Sequence, residues 1–405
     1  LKVRPQQQEH RAAEEQRYET MLAERQALDD SSYDVDLMFR MAQCYDGMGR
    51  RWIAIPVFQH LYTEFPESRV AEPSHYFSFS SLLGVHELEL ALGEGASYTN
   101  TYPKGRFRDE VTLSLMHAHL GLEDLDSTDE LGRSLLVQTP FHRYLDQVNY
   151  LLGYIQFQRE NYEGALPFFQ ATATNWPSRM YAEESTYWVG MCRLFLGQYE
   201  QTVELFEHYL AESHWSPKAF AEDVTYRLGM AYYGLENDEK SKTVFIGFLE
   251  QFPQSDLVSE ACSMLGDLYG GEGDLDRALD YYAQARESAI NATQFDYAVF
   301  QAAKAYELLG RHEGIVELMT DYLKPSDREG RFAEAGVWLS KAWRASGNRE
   351  EALKACCDTL TRYGNDPRAE GFGALIQEIL DAVNDPEQGA SLLARAKSTL
   401  EPARE

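Results

Sequence analysis

The sequence predicts an all-α fold, a solenoid of antiparallel helix pairs with about nine units of roughly 37 residues each. Three observations lead to this prediction. Prolines recur along the chain with this period, glycines and tyrosines recur with the same period, and apolar residues within each period lie three and four positions apart. Repeats of this length are typical of solenoids, because a single helix pair can bury its apolar face only against its neighbours.

Four series of residues carry the period. The prolines are Pro66, Pro103, Pro140 and Pro177, and Pro253 continues them after one unit in which the proline is displaced to Pro217. The other three series are Gly153, Gly190, Gly229 and Gly266; Tyr232, Tyr269 and Tyr306; and Gly273, Gly310 and Gly347. Their agreement on one period indicates that the whole central part of the chain is built from one kind of unit.

Each unit reads as two helices joined by a polar turn. In the unit that begins near Glu222, apolar residues recur with helical spacing along 226–232 and again at Phe245 and Phe248. Small residues mark the closest contact between the two helices, and Gly229 is predicted to face Ser241. Large aromatic residues elsewhere in the unit are expected to fill the space between helices and between units.

These positions resemble the tetratricopeptide repeat (TPR) family, which has small residues at the eighth and twentieth places, aromatics at the eleventh and twenty-fourth, and proline at the thirty-second. The resemblance implies a right-handed superhelix. Units that match clearly begin near Val35, Asp146, Glu183, Glu222, Ser259, Asp296 and Ala333. The two units within 72–145 keep their prolines but carry Phe79 and Met116 at the eighth place, so we expect these two units to be degenerate.

The repeat style is similar to that of bacterial envelope TPR proteins, in particular the BamD-like outer-membrane assembly lipoproteins and the Tol-Pal-associated periplasmic TPR proteins. The residues that carry this resemblance are the motifs at 65–68, 176–178 and 252–255, such as Phe252-Pro253-Gln254-Ser255. It implies a periplasmic or outer-membrane-associated location in a bacterium, with the cytoplasm as the alternative. Membrane association is then expected to be indirect, or to depend on an N-terminal anchor that lies outside this sequence.

Three regions follow from the repeat. Residues 1–32 are expected to form a capping helix, 33–366 the TPR-like solenoid, and 367–405 C-terminal capping helices with a tail. A linker or partner helix is the alternative for the N-terminal region. The five cysteines are sparse and odd in number, which favours buried thiols over a disulfide framework.

Charge and composition exclude several classes of function. The formal net charge is −28, which makes nucleic acid an unfavourable partner because its phosphates would be repelled. His117 and His119 lie two apart on a helix and therefore on different faces, which is awkward for a shared metal ion. Since we find no phosphate-binding loop, Cys-x-x-Cys pair or nucleophile elbow, the sequence predicts a protein that is not an enzyme and needs no cofactor or metal.

The resemblance also implies a binding surface, since the first helices of successive TPR units line a concave groove. The groove residues that it predicts are Tyr150, Tyr154, Phe157, Tyr187, Met191, Tyr226, Met230, Tyr233, Lys341 and Arg344. Tyrosine and methionine are favoured where a protein surface accepts a partner segment. The alternative is that the aromatic residues only pack unit against unit. Lys341 and Arg344 would anchor an acidic partner, or would simply be solvated.

The predicted function is therefore a protein-protein interaction scaffold or adaptor, of a cell-envelope assembly or transport complex, that binds a peptide or helix of another protein in its groove. A structural subunit that uses its convex face and caps is a second hypothesis. An accessory protein of a small-molecule transporter is a third. The sequence leaves the oligomeric state open.

Overall fold

A computed structural model describes residues 30–138, 143–212, 215, 217–324, 330–363, 366, 372–381, 387, 389–391 and 393–394. The predicted capping helix of residues 1–32 therefore lies almost entirely outside the described residues. The chain forms two compact units, Leu1–Leu196 and Gly197–Glu405. No helix in the described part of the chain is long and apolar enough to span a bilayer.

The described part of unit 1 contains four helix pairs and one further helix. They are α1 (Asp30–Gly47), α2 (Arg51–Glu64), α3 (Ala71–Gly84), α4 (Leu88–Thr101), α5 (Arg108–Gly121), α6 (Leu125–Gln138), α7 (Leu145–Gln158), α8 (Tyr162–Asn175) and α9 (Ala182–Phe195). Within each pair the odd-numbered helix is the first helix of a repeat. Clusters of buried apolar side chains run through successive pairs, as expected for stacked repeats.

Unit 2 contains the helices α10 (Tyr199–Ala211), α11 (Ala221–Gly234), α12 (Asp238–Gln251), α13 (Val258–Gly271), α14 (Leu275–Ser288), α15 (Ala292–Leu308), α16 (His312–Tyr322), α17 (Phe332–Ala345), α18 (Arg349–Tyr363) and α19 (Phe372–Asp381). Here too the first helices of the repeats, α11, α13, α15 and α17, are odd-numbered. On α19, Leu375 and Ile379 are buried against Leu353 and Cys356 of α18. The predicted all-α class, with helices in consecutive antiparallel pairs, is confirmed.

The turn between the two helices of each repeat has one backbone geometry throughout. Among the described residues, nine with φ between +56° and +83° mark these turns: Gly49, His86, Glu123, Glu160, Gly197, Glu236, Gly273, Gly310 and Gly347. After eight of these nine residues, the next backbone amide donates to a carbonyl five residues earlier, as Asn161 N does to Gln156 O at 2.9 Å. This is the Schellman ending of a helix, and it satisfies carbonyl groups that the helix leaves free.

The small residue at the eighth place of a repeat makes room for the aromatic ring at the twenty-fourth. A Cβ added to Gly153 would lie 3.0 Å from Phe169 Cδ1, and one added to Gly229 would lie 2.7 Å from Phe245 Cε1. Ser241 also meets Gly229 as predicted, since its Oγ donates to the Gly229 carbonyl at 2.9 Å. The predicted close contact is therefore formed by a glycine and the ring that covers it.

The two repeats predicted to be degenerate are regular helix pairs in which this contact is reversed. Phe79 and Met116 are buried at the eighth place, and glycine occupies the twenty-fourth. A Cβ on Gly95 would lie 2.8 Å from Phe79 Cε2, and one on Gly132 would lie 2.7 Å from Met116 Cε. The large and the small residue have exchanged helices, so one glycine is again covered by one large side chain at the contact.

Four of the five cysteines are buried free thiols, as predicted, whereas Cys44 on α1 is exposed. Burial raises the pKa of Cys262 to about 11, which keeps its thiol protonated and unreactive at neutral pH. The described cysteines therefore serve as small apolar residues.

His75 on α3 is a buried histidine without a hydrogen-bond partner. Its side chain is 1% exposed, and neither ring nitrogen bonds to a described residue. The ring stacks on Tyr62 with centroids 4.0 Å apart and meets the edge of Tyr98 at 5.5 Å. Burial lowers the pKa of His75, and the negative charge of Glu94 opposes this effect without cancelling it.

We predict that Gly95→Ala destabilises the protein by about 1 to 3 kcal/mol, because the new methyl group would overlap the buried side chains of Phe79 and Leu115. Gly93 lies on the same helix with nothing within 4 Å of an added Cβ, so Gly93→Ala is the matched control. It should stabilise by up to about 1 kcal/mol through its better helix propensity. Urea unfolding followed by circular dichroism measures both. Equal changes of the unfolding free energy, in the same direction, in Gly95→Ala and Gly93→Ala would contradict the reversed contact.

We further predict that His75 destabilises the fold at acidic pH. Its pKa is lower folded than unfolded, so the unfolded chain binds more protons once the pH falls below about 6.5, and stability is lost by at most about 1.4 kcal/mol per pH unit. Urea midpoints at about pH 7 and about pH 5 should therefore fall less in His75→Phe than in the natural protein.

The control for this prediction is His60→Phe on α2. His60 is exposed, so the effect of the exchange on the pH dependence should be larger in His75→Phe than in His60→Phe. The same pH dependence in His75→Phe as in the natural protein would show that burial of His75 does not couple to folding.

Candidate functional site

The first helices of three successive repeats in unit 1 enclose a recess of about 980 Å³. It is lined by side chains of α5, α7 and α9, by the turn after α5, and by Leu125 at the start of α6. Tyr150 and Tyr154 of α7 and Trp188 of α9 provide its aromatic wall, and Glu123, Glu184 and His117 provide polar groups. Because α5, α7 and α9 are all first helices, the recess lies on the face on which the TPR resemblance places the groove.

Tyr150 and Glu184 form a hydrogen-bonded pair that links two repeats. The Tyr150 hydroxyl donates to Glu184 Oε1, and Trp188 Nε1 donates to the same oxygen at 3.4 Å. Burial, followed by the bond to Glu184, raises the pKa of Tyr150 well above its usual range, so the phenol remains a proton donor. The pair fixes the carboxylate of Glu184 at the wall of the recess.

A bond of the same kind is found two repeats earlier in the chain. The Tyr76 hydroxyl donates to Glu110 Oε1 at 2.6 Å, and both pairs join the fifth place of one repeat to the second place of the next. Arg143 also donates to Glu110, at 2.9 Å. A tyrosine at the fifth place therefore holds consecutive first helices together, which supports the packing alternative for part of the Tyr150 side chain.

Tyr154 and Phe157 belong to a continuous group of rings. Tyr154 lies against Tyr150 with centroids 6.4 Å apart and meets Trp188 edge-on at 5.9 Å. Its hydroxyl accepts a hydrogen bond from Gln158 Nε2 at 2.7 Å. Phe157 packs on Trp188 at 4.7 Å and on Tyr162 at 5.2 Å. Of these, Tyr154 and Trp188 line the recess, and Phe157 supports Trp188 from the side.

Three of the predicted groove residues lie in the packed interior. Tyr187 is 9% exposed, Met191 4% and Tyr226 6%. Tyr226 packs on Phe245 and Phe248 with ring centroids 5.6 and 6.0 Å apart. Little of these side chains is available to another molecule. Residues at groove positions recur with the helical period, and residues that pack between helices recur with the same period, so the spacing alone does not distinguish the two.

In unit 2 the exposed ring among the predicted residues is Tyr233, which is 46% exposed at the end of α11. Met230 is half-buried against the apolar cluster around Tyr226. Close by, Asp267 of α13 accepts hydrogen bonds from the hydroxyls of Tyr282 and Tyr297, at 2.7 and 2.5 Å. The carboxylate of Asp267 on one first helix therefore bonds to a tyrosine of the next first helix, Tyr297, and to a tyrosine of a second helix, Tyr282.

Lys341 and Arg344 lie on α17. Lys341 is exposed, whereas the guanidinium of Arg344 forms an ion pair with Glu378 of α19. The acidic group that Arg344 meets is therefore a residue of the same chain.

Sequence reasoning missed Trp188, Glu184, Glu123 and the ring of His117 as parts of one recess. Glu184 occupies a second place, which was a recognisable groove position, but Trp188 occupies a sixth place, which was not. Glu123 lies on the left-handed turn after α5, and the sequence pattern gives no direction for such a side chain. His119, the other histidine of α5, contacts Asp124 Oδ2 at 3.0 Å, so the two histidines do have different surroundings.

Comparison with known proteins supports the repeat assignment. Two tetratricopeptide repeat models match residues 223–255 and 259–288, which coincide with α11–α12 and α13–α14. No curated protein matches the sequence.

Several solved structures are similar at low sequence identity. A tetratricopeptide repeat protein from Parabacteroides merdae has 13% identity and a TM-score of 0.42, over 66% of this chain and 98% of its own. The C-terminal part of a TPR repeat-containing protein from Cytophaga hutchinsonii has 13% identity and a TM-score of 0.44, over 73% and 97%. PilW, a type IV pilus biogenesis factor, has 13% identity and a TM-score of 0.41, over 54% and 94%. From the matching repeat models, we conclude that the chain contains tetratricopeptide repeats.

Proposed function

We propose that this protein is a non-enzymatic scaffold that binds a peptide or helix of a partner protein on the first helices of unit 1. The observation that carries the proposal is the recess between α5, α7 and α9. Its volume suits a short segment or a few inserted side chains, and recognition sites are commonly concave with aromatic walls and a few fixed polar groups. TPR repeats in general mediate protein-protein binding, so the fold and the recess support the same function.

Tyr154 is the residue on which we expect binding to depend most. It is half-buried, so its ring offers surface to a ligand while Tyr150 and Trp188 hold it in place. Rigid aromatic anchors of this kind contribute much of the affinity in protein interfaces. Tyr226, by contrast, is too deeply buried to be a direct contact.

We also propose a bacterial cell-envelope context, with the protein in the periplasm or associated with the outer membrane. This proposal rests on the repeat length and on the Phe-Pro-x-Ser motifs, such as the one that begins at Phe252. Fractionation of source cells tests it, and recovery from the cytoplasm would overturn it.

We predict that a photo-reactive amino acid in place of Tyr154 cross-links to a defined partner protein in intact source cells. The matched control is the same amino acid in place of Glu163, which is exposed on α8, a second helix. In addition, Tyr154→Ala should weaken the isolated complex by more than about 1 kcal/mol and leave helicity unchanged.

Mass spectrometry of the adducts distinguishes the hypotheses. A partner captured from Tyr154 but not from Glu163 supports binding on the first helices. Capture from Glu163 alone would favour a structural subunit that uses the opposite surface. A small molecule recovered with the native protein, without a protein adduct, would favour the transporter alternative.

A further inference from the structure

The recess in unit 1 carries negative charge that no lining residue neutralises. Its charged side chains are Glu123 and Glu184, and neither lysine nor arginine is among the residues that line it. His117 also lines the recess, where its side chain is exposed, and partial desolvation lowers its pKa below the ordinary value of about 6.5, so the ring carries little charge at neutral pH. An acidic ligand would therefore meet repulsion here, and a cationic one attraction.

The carboxylate of Glu184 is held in a fixed position in the recess, and one of its oxygens is available to a ligand. Tyr150 and Trp188 both donate to Oε1 of Glu184, and no described residue donates to Oε2. The two donors restrict the side chain, so that a ligand would not have to order it on binding. A carboxylate oxygen with unused acceptor capacity pairs best with a charged N–H donor.

The aromatic wall favours the same chemistry. Tyr150, Tyr154 and Trp188 surround this part of the recess, with Tyr154 and Trp188 inclined at 75° to each other. The faces of such rings attract a lysine ammonium or an arginine guanidinium, and tryptophan does so most strongly. Rings and a carboxylate in one recess can hold the alkyl stem and the charged end of a long basic side chain together.

We propose that this recess binds a lysine or arginine side chain of the partner segment, so that the ligand of this protein is a basic peptide or helix. The inference rests on the proposed function, which it deepens by naming the charge of the partner. Glu184 receives the cation, Tyr154 and Trp188 flank it, and Glu123 adds attraction from the rim.

The test is selection of a phage-displayed library of random short peptides on the purified full chain, with Glu184→Gln and Glu163→Gln selected in parallel. The amide of Glu184→Gln can still accept hydrogen bonds from Tyr150 and Trp188, so this variant removes the charge and keeps the shape. Glu163→Gln makes the same change of net charge on α8, away from the recess. Circular dichroism establishes that all three proteins are equally folded.

We expect the natural protein and Glu163→Gln to select peptides that share a lysine or arginine, and Glu184→Gln to lose that preference. For one selected peptide, fluorescence anisotropy should give a Kd at least about tenfold higher with Glu184→Gln and within about twofold with Glu163→Gln. Glutamine in place of the basic peptide residue should raise the Kd by about the same factor. Combining this peptide with Glu184→Gln should raise the Kd little further, because both changes remove the same contact.

Other outcomes separate this inference from the proposed function. Selected peptides without a shared cation that still need Tyr154 would overturn the basic partner and leave binding on the first helices intact. Selection of acidic peptides would overturn the inference directly. Failure to select any peptide would overturn it as well, and cross-linking from Tyr154 would then decide on the proposed function alone.

Discussion

The close contact between the two helices of a repeat requires one small side chain at one of two facing positions. In most repeats it is the first helix that carries the small residue, as Gly153 does beneath Phe169, and in two repeats it is the second, as Gly95 does beneath Phe79. What is fixed is the summed volume at the contact, since protein interiors are packed without space to spare. The stacking of helix pairs, and with it the position of every first helix within a unit, depends on this spacing.

Hydrogen bonds between tyrosines and carboxylates also connect the packed helices to one another. Tyr76 with Glu110 and Tyr150 with Glu184 tie one first helix to the next, and Tyr322 with Asp296 ties a second helix to its own first helix at 2.6 Å. Half-buried bonds of this kind are worth more than exposed ones because less water competes for them. Tyr150 therefore contributes to packing and to the recess at the same time, and these two interpretations of its role do not exclude each other.

The periodic series predicted the fold class and the helix pairs, because helical spacing and repeat length are directly visible in the residue order. The same reasoning treated Phe79 and Met116 as departures from the pattern, since it assessed each position separately and did not compare them with Gly95 and Gly132. It could not separate Tyr226, which faces inward, from Tyr154, which lines the recess, because both occupy groove places of first helices. The division after Leu196 was likewise invisible, as the glycine series continues across it.

The reversed contact also limits how such a chain can diversify by duplication and exchange of its parts. A first helix from a repeat of the usual kind, joined to a second helix from a reversed one, would place glycine opposite glycine and leave a void. The opposite combination would place two large side chains in space for one. Whole repeats can therefore be duplicated or exchanged as units, whereas single helices from the repeats containing Phe79 or Met116 can be exchanged only together with their partners.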